Sequence, residues 1–303
     1  MRNELYIIPQ KNFGIICKVE NNILTKIREI DIHFDSKNVF LENGLIVSLG
    51  LVENSKTNEL KIFNMEGKKI FECNEYNYSA INVFENVVYL GGIYSNNREL
   101  FSYVDLSSIE FKINDVSLPI KTVDGKSIDD ILISNNLLYL IDNIIWPKYI
   151  FIYDINVSNR PKYLETHKLT GHLPNEEIIK GDINDNWIMI FSEHYIQNGF
   201  FYNIVLKNIE KSWKKDYLLT FCTQGSGLFE KVDSVAVLDV CLTNNMLYIL
   251  KEDGLYIIKL DSPISKRNIY KFNENRDMYK KMLKIGTNSV ILYNEFKYEH
   301  IKI

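Results

Sequence analysis

The strongest constraint on how this chain can fold is a seven-fold recurrence. Asparagine, alone or paired, precedes a short apolar run at Asn3 (ELYII), Asn43 (GLIVSL), Asn86 (VVYL), Asn136 (LLYL), Asn186 (WIMI), Asn245 (MLYIL) and Asn288 (SVILY), at intervals of 40, 43, 50, 50, 59 and 43 residues. A second run follows each anchor: FGIICKV (13–19), ELKIFNM (59–65), ELFSYVDL (99–106), YIFIYDI (149–155), FFYNIVL (200–206), GLYIIKL (254–260) and YEHIKI (298–303). Alternation of apolar and polar residues at period two predicts a half-buried strand. Asparagine fits the turn before it, because its side chain satisfies local backbone and it tolerates left-handed dihedrals.

Two further runs complete the unit. A leading run recurs at SAINVF (79–84), DDILIS (129–134), IIKGDI (178–183), SVAVLDV (234–240) and KMLKIG (281–286), and a more polar trailing run at KKIFEC (68–73), PKYLETHKL (161–169) and RNIYKF (267–272). Four antiparallel strands repeated at this period describe a propeller blade. The expectation is an all-β chain forming a single β-propeller domain over residues 1–303, with seven four-stranded blades, or six if the N-terminal strands complete the last sheet. The first unit lacks an obvious inner strand and the seventh stops without an outer one, so the usual exchange of strands between termini is not evident.

Two blades carry a family resemblance. GLYIIKLDSP (254–263) and YIFIYDINVSNRP (149–161), each after an Asn-led LYIL or LYLI run, resemble the bacterial propeller repeats called LVIVD. The match departs from that pattern where Lys259 replaces the family's Asp and where Tyr149 and Ile150 replace Gly-Leu. A WD40 pattern is disfavoured because the chain has no Trp-Asp dipeptide, and a kelch pattern because only one glycine pair, Gly91 and Gly92, follows a strand. The resemblance implies architecture and no single activity.

Charge and composition narrow the partners. A net charge of −4 provides no basic field for a phosphate backbone, so nucleic acid is not an expected partner. No stretch has the length and apolarity of a membrane span, and the N-terminal apolar runs are broken by Pro9, Gln10, Lys11 and Asn12. The reading is a soluble, cytoplasmic, bacterial protein. Its four cysteines, at 17, 73, 222 and 241, have no metal-pair spacing and read as small apolar groups.

Chemical motifs do not hold up. Gly125-Lys126-Ser127 has Ile120 where a phosphate loop needs glycine, and Gly225-Ser226-Gly227 lacks the third glycine of a dinucleotide site. The histidines, including His167, His172 and His194, form no three-ligand set, so no metal and no cofactor are expected. Acidic residues on the leading runs, Asp129, Asp130, Asp182 and Asp239, support an alternative: a hydrolase acting on a carbohydrate or small polar substrate in the channel. Their plainer role is bonding to backbone amides.

The long connections fall on one face of such a fold: 91–99, 117–127, 142–149, 170–177, 192–199 and 222–233. Insertions concentrated on one face of a repeat protein mark a binding face. The expected function is therefore non-enzymatic binding of another protein, as scaffold, regulator or neutralising partner. The expected contacts are Tyr94, Arg98, Trp146, Lys148, His172, His194, Tyr195 and Phe229, with Trp146 as the main anchor.

Overall fold

The computed structural model describes residues 5–20, 23–32, 36–51, 58–74, 77–92, 101–118, 128–142, 148–156, 160–169, 176–196, 199–209, 216–222, 235–260, 267–271, 279–285 and 289–302. Every regular element among them is a β-strand. The strands form seven antiparallel sheets, the blades of a β-propeller. The chain groups into two compact units, Met1–Leu169 and Thr170–Ile303.

Four sheets lie in the first unit. They are β1 (Leu5–Pro9), β2 (Gly14–Glu20) and β3 (Ile23–Ile30); β4 (Ser36–Glu42), β5 (Leu45–Leu51), β6 (Asn58–Asn64) and β7 (Lys69–Cys73); β8 (Tyr78–Phe84), β9 (Val87–Gly92), β10 (Phe101–Asp105) and β11 (Ile113–Val116); and β12 (Ile128–Ser134), β13 (Leu137–Asp142), β14 (Tyr149–Asp154) and β15 (Lys162–Lys168). Three lie in the second: β16 (Glu177–Ile183), β17 (Trp187–Ile196), β18 (Gly199–Asn208) and β19 (Asp216–Cys222); β20 (Val237–Leu242), β21 (Met246–Lys251), β22 (Gly254–Lys259) and β23 (Arg267–Lys271); and β24 (Lys281–Ile285), β25 (Ser289–Tyr293) and β26 (Tyr298–Lys302).

Among the described residues the first and last sheets have three strands, in keeping with the missing inner run of the first unit and the missing outer run of the seventh, and the other five sheets have four. The register identifies the unfilled places. In the second and fourth sheets the pairing of third with fourth strand slips at Ile62/Phe63 and Ile152/Tyr153, and the same slip occurs between β2 and β3 at Ile16/Cys17. β2 and β3 therefore hold the third and fourth places, and the first is unfilled. β24 to β26 hold the first three.

The Asn-led turns fold as their chemistry requires. Asn43-Gly44, Glu85-Asn86 and Asn135-Asn136 all have positive φ, the geometry of a two-residue turn whose twist matches the flanking strands. At the fifth anchor a neighbouring asparagine holds the turn through its side chain. Asn184 Oδ1 accepts the amides of Asn186 and Trp187 at 2.9 and 2.7 Å. The carbonyls of Asn86, Asn136, Asn186 and Asn245 each accept the amide just beyond the third strand, from Leu106, Ile155, Ile209 and Leu260. Asn3 and Asn288 lie outside the described residues.

The second strands β9, β13 and β21 are buried on both faces, which is why they read as continuous apolar runs, and within each unit neighbouring sheets share apolar cores. Tyr89 and Phe101 meet Ile131, Leu140 and Phe151 in one such core, and Met189, Tyr202 and Phe221 meet Val240, Leu247 and Ile258 in another. Fourth strands such as β15 are largely exposed.

The third and fourth sheets meet closely at Gly91. A Cβ there would lie 2.5 Å from Cγ2 and 2.7 Å from Cβ of Ile128, itself fully buried. Ile128 Cβ is fixed by its own backbone, so no rotamer change relieves the clash. Gly91→Ala should lower stability by about 1–3 kcal/mol, the overpacking range, read as a reduced melting temperature by circular dichroism. An unchanged melting temperature would show that the two sheets can separate freely at this point.

Candidate functional site

β17 and β18 each run ten residues and form the longest hairpin described. Strand pairing continues to Ile196 and Gly199, so most of the segment expected as a loop at 192–199 is sheet. Four rings line one face. Phe191 stacks on Tyr202 at 6.0 Å, Tyr202 on Phe200 at 6.2 Å, and Phe200 meets Tyr195 edge-on at 5.4 Å. Burial falls along this series: Phe191 and Tyr202 are in the core, whereas Phe200 is 40% and Tyr195 66% exposed.

The opposite face of the hairpin carries a buried polar network. Buried Glu176 accepts hydrogen bonds from Asn203 Nδ2 and, at 3.3 Å, Ser192 Oγ; Thr220 Oγ1 donates to Asn203 Oδ1 at 2.9 Å. Such a network pins the hairpin base. The exposed rings therefore stand on a rigid support.

A carboxylate pair lies beside the rings. Register places Glu177 directly opposite Glu193, Glu193 opposite Tyr202, and Tyr202 opposite Phe221, so one row across the sheet carries all four. Neither glutamate forms an ion pair with a described residue. Burial, and next the charge of Glu177, raises the pKa of Glu193 above the ordinary carboxylate range. Burial likewise raises Tyr202, with Glu193 and Glu252 adding to the effect.

The expected contacts are placed unevenly. Tyr195 is on the aromatic face; His194, half-buried and opposite Phe201, is on the other by strand alternation. Lys148 is a correction: it is 1% exposed and its carbonyl accepts the amide of Leu169 at 2.8 Å, so the sheet engages it before β14 begins. Tyr94, Arg98, Trp146, His172 and Phe229 lie outside the described residues. Phe200, Glu177 and Glu193 were not among the expected contacts. Phe200 could have been found by extending the alternation of β17 and β18 towards each other, which pairs it with Tyr195.

The channel carboxylates are occupied by the fold. Asp239 Oδ1 accepts from Val240 N at 2.9 Å and Lys180 Nζ at 2.8 Å, and its Oδ2 from Met282 N at 2.7 Å. Asp182 accepts from Ile183 N at 2.8 Å and Leu242 N at 2.7 Å. Burial opposes the charge on Lys180, yet the Asp239 carboxylate, with Asp182 in support, holds its pKa above the ordinary lysine value. Burial also pushes the neighbouring Cys241 thiol up, away from nucleophilic thiolate. Asp182 and Asp239 are thus backbone clamps, the plainer of their two expected roles. Among the described residues no three His, Cys, Asp or Glu side chains are grouped to hold a metal ion.

The raised pKa of Glu193 has a definite sign. Its folded value lies above its unfolded one, so its protonated form favours folding. Stability from this group is complete below the unfolded pKa, about 4.3 for glutamate, and declines as pH rises through the folded value. By carbon-detected NMR titration, Glu193 should titrate above other exposed glutamates, and Glu177→Gln should bring it part of the way back. A Glu193 titration unmoved by Glu177→Gln would leave burial as the sole cause.

No protein-family model matches the chain, and no curated protein sequence does. The LVIVD resemblance is therefore supported only as far as the propeller fold. Solved structures do match in fold. The WD40 domain of Neurospora crassa Pan2 is 12% identical, with a TM-score of 0.60 over 98% of this chain and 88% of that one. Kluyveromyces lactis Hsv2 is 12% identical, with a TM-score of 0.58 over 96% and 86%. KlAtg21, solved in complex with the coiled-coil of AgAtg16, is 11% identical, with a TM-score of 0.53 over 89% and 83%. At such identities the likeness shows the β-propeller fold alone.

Proposed function

We propose that this chain is a non-enzymatic protein-interaction module acting in the cytoplasm, and that it docks a partner through the aromatic end of the β17–β18 hairpin. One observation carries the reading: Tyr195 and Phe200 are exposed, in contact with each other, and joined by Tyr202 and Phe191 to a buried core. Two solvated rings held on a rigid ribbon offer contact area with little side-chain entropy left to lose, the property of interface anchors.

Two further facts support it. Asp182 and Asp239, which a channel hydrolase would use, are committed to backbone amides and to Lys180. Among the fold neighbours, KlAtg21 was solved with a coiled-coil partner, so a propeller of this architecture can serve in protein recognition.

The test is co-purification followed by titration. Tagged protein should carry a single stoichiometric protein from its own cells, identified by mass spectrometry. Tyr195→Ala combined with Phe200→Ala should weaken that complex by about 2 kcal/mol or more, with a smaller loss of fold stability, read as a modest drop in melting temperature, because the rings lie at the exposed end of the hairpin. Equal affinity of wild type and double variant, or no stoichiometric protein at all, would sink the reading.

A further inference from the structure

We propose that the sheet face bearing Glu177, Glu193, Tyr195 and Phe200 binds a cation, specifically an arginine or lysine side chain projecting from a partner protein. The inference rests on the docking reading above and assigns its chemistry.

The like-charge pair is the first ground. Carboxylates directly opposite one another across antiparallel strands repel, at a cost to the sheet. Glu177 and Glu193 are so placed, and no ion pair with a described residue neutralises either. Glu252 adds a third carboxylate within electrostatic reach of Tyr202. A guanidinium or ammonium arriving from outside would turn this repulsion into attraction. An anionic segment would increase it, and a purely apolar one would leave the carboxylates charged and less hydrated.

Ring faces are the second ground. Aromatic rings attract cations through their quadrupole, and Tyr195 and Phe200, both partly exposed, lie on the same sheet face as the glutamates. The row already holds one cation in this way at its fourth-strand end. Phe221 stands opposite Tyr202, and the Lys251 ammonium sits 5.1 Å from the Phe221 ring centre and 5.0 Å from that of Tyr256. The tip of the hairpin, with Tyr195 and Phe200, offers the same ring chemistry with carboxylates beside it and solvent access.

The experiment uses the full chain and two probes: the capped tripeptides acetyl-Leu-Arg-Leu-amide and acetyl-Leu-citrulline-Leu-amide, the second a neutral isostere of the first. Ring resonances of Tyr195 and Phe200 and the carboxyl resonance of Glu193 report binding. The arginine peptide should give saturable shifts, should lower the pKa of Glu193 as a bound cation must, and should weaken by about tenfold in Glu177→Gln combined with Glu193→Gln. The citrulline peptide should bind at least about tenfold more weakly than the arginine peptide.

Equal binding of the two peptides, or no saturable shift with the arginine peptide, would overturn the cation assignment. A wild-type dimer by analytical ultracentrifugation that Tyr195→Ala dissolves would place a second copy on this face and overturn it too. The outcomes separate the two readings. Loss of partner capture on removing the rings but not the charges leaves docking standing and defeats the cation. Charge-dependent peptide binding with partner capture indifferent to the rings does the reverse.

Discussion

The structure depends on how the edge of each sheet is satisfied. A first strand pairs on one side only, leaving on the other a row of N–H and C=O groups that would cost free energy if buried unpaired. One asparagine and three aspartates in these strands meet the need in the same way. Asn82, Asp130, Asp182 and Asp239 each accept the amide of the residue that follows, at 2.8 to 2.9 Å. Three of them also reach the first strand of the next sheet: Asn82 donates to Ile131 O at 2.7 Å, and Asp182 and Asp239 accept from Leu242 N and Met282 N. Ser79 Oγ adds a bond to Ile128 O at 2.6 Å. These bonds join successive sheets where side chains are too short to interdigitate, while the apolar cores join them further out. Register slips in the first strands, as at Ile128/Asp130 and Val237/Asp239, accompany the pattern and turn these side chains towards the edge.

Sheets fixed at their inner edges can carry additions elsewhere. The hairpin of β17 and β18 extends beyond the length of its counterparts, and its outer pairs, His194 with Phe201 and Tyr195 with Phe200, add to the sheet without altering its base. Its stiffness comes from both faces: stacked rings on one, and the Glu176, Ser192, Asn203 and Thr220 network on the other. A loop of equal length would have to be ordered on binding. This ribbon is ordered beforehand, and the entropy of fixing its rings is met by folding.

The fold was legible because a propeller writes its strands as separate patterns. Doubly buried second strands gave the unbroken runs VVYL and LLYL; half-buried third strands gave the alternation of YIFIYDI; the turns between first and second strands demanded Asn or Gly at positive φ. The site was legible only in part, since the period says where a strand repeats and not how far one blade departs from it. Tyr195 entered the candidate contacts because a long connection was expected at 192–199, although that segment is mostly strand. Phe200 was read as the opening residue of a half-buried third strand and not as a contact, yet at the end of an overlong hairpin it is 40% exposed. Lys148 followed Trp-Pro and read as loop, yet its carbonyl already pairs with Leu169. Glu177 and Glu193 are separated by sixteen residues, and only the register of two strands, displaced by the slip at Ile178/Lys180, sets them face to face.

That register also explains why the pair is informative. Sequences that fold well are locally consistent, so places where a local rule is broken without structural gain are where function is to be sought. Two buried charged groups among the described residues obey the rule: Asp239 meets Lys180 and two amides, and Lys251 meets two rings. Glu177 and Glu193 meet each other. Glutamine at either position would keep the size and hydrogen-bonding reach of the side chain and remove the repulsion, so the fold alone does not explain two carboxylates. An arriving positive charge does explain them: the free-energy cost carried by the unbound protein is released on binding, and the partner lacking that charge is refused by the same repulsion.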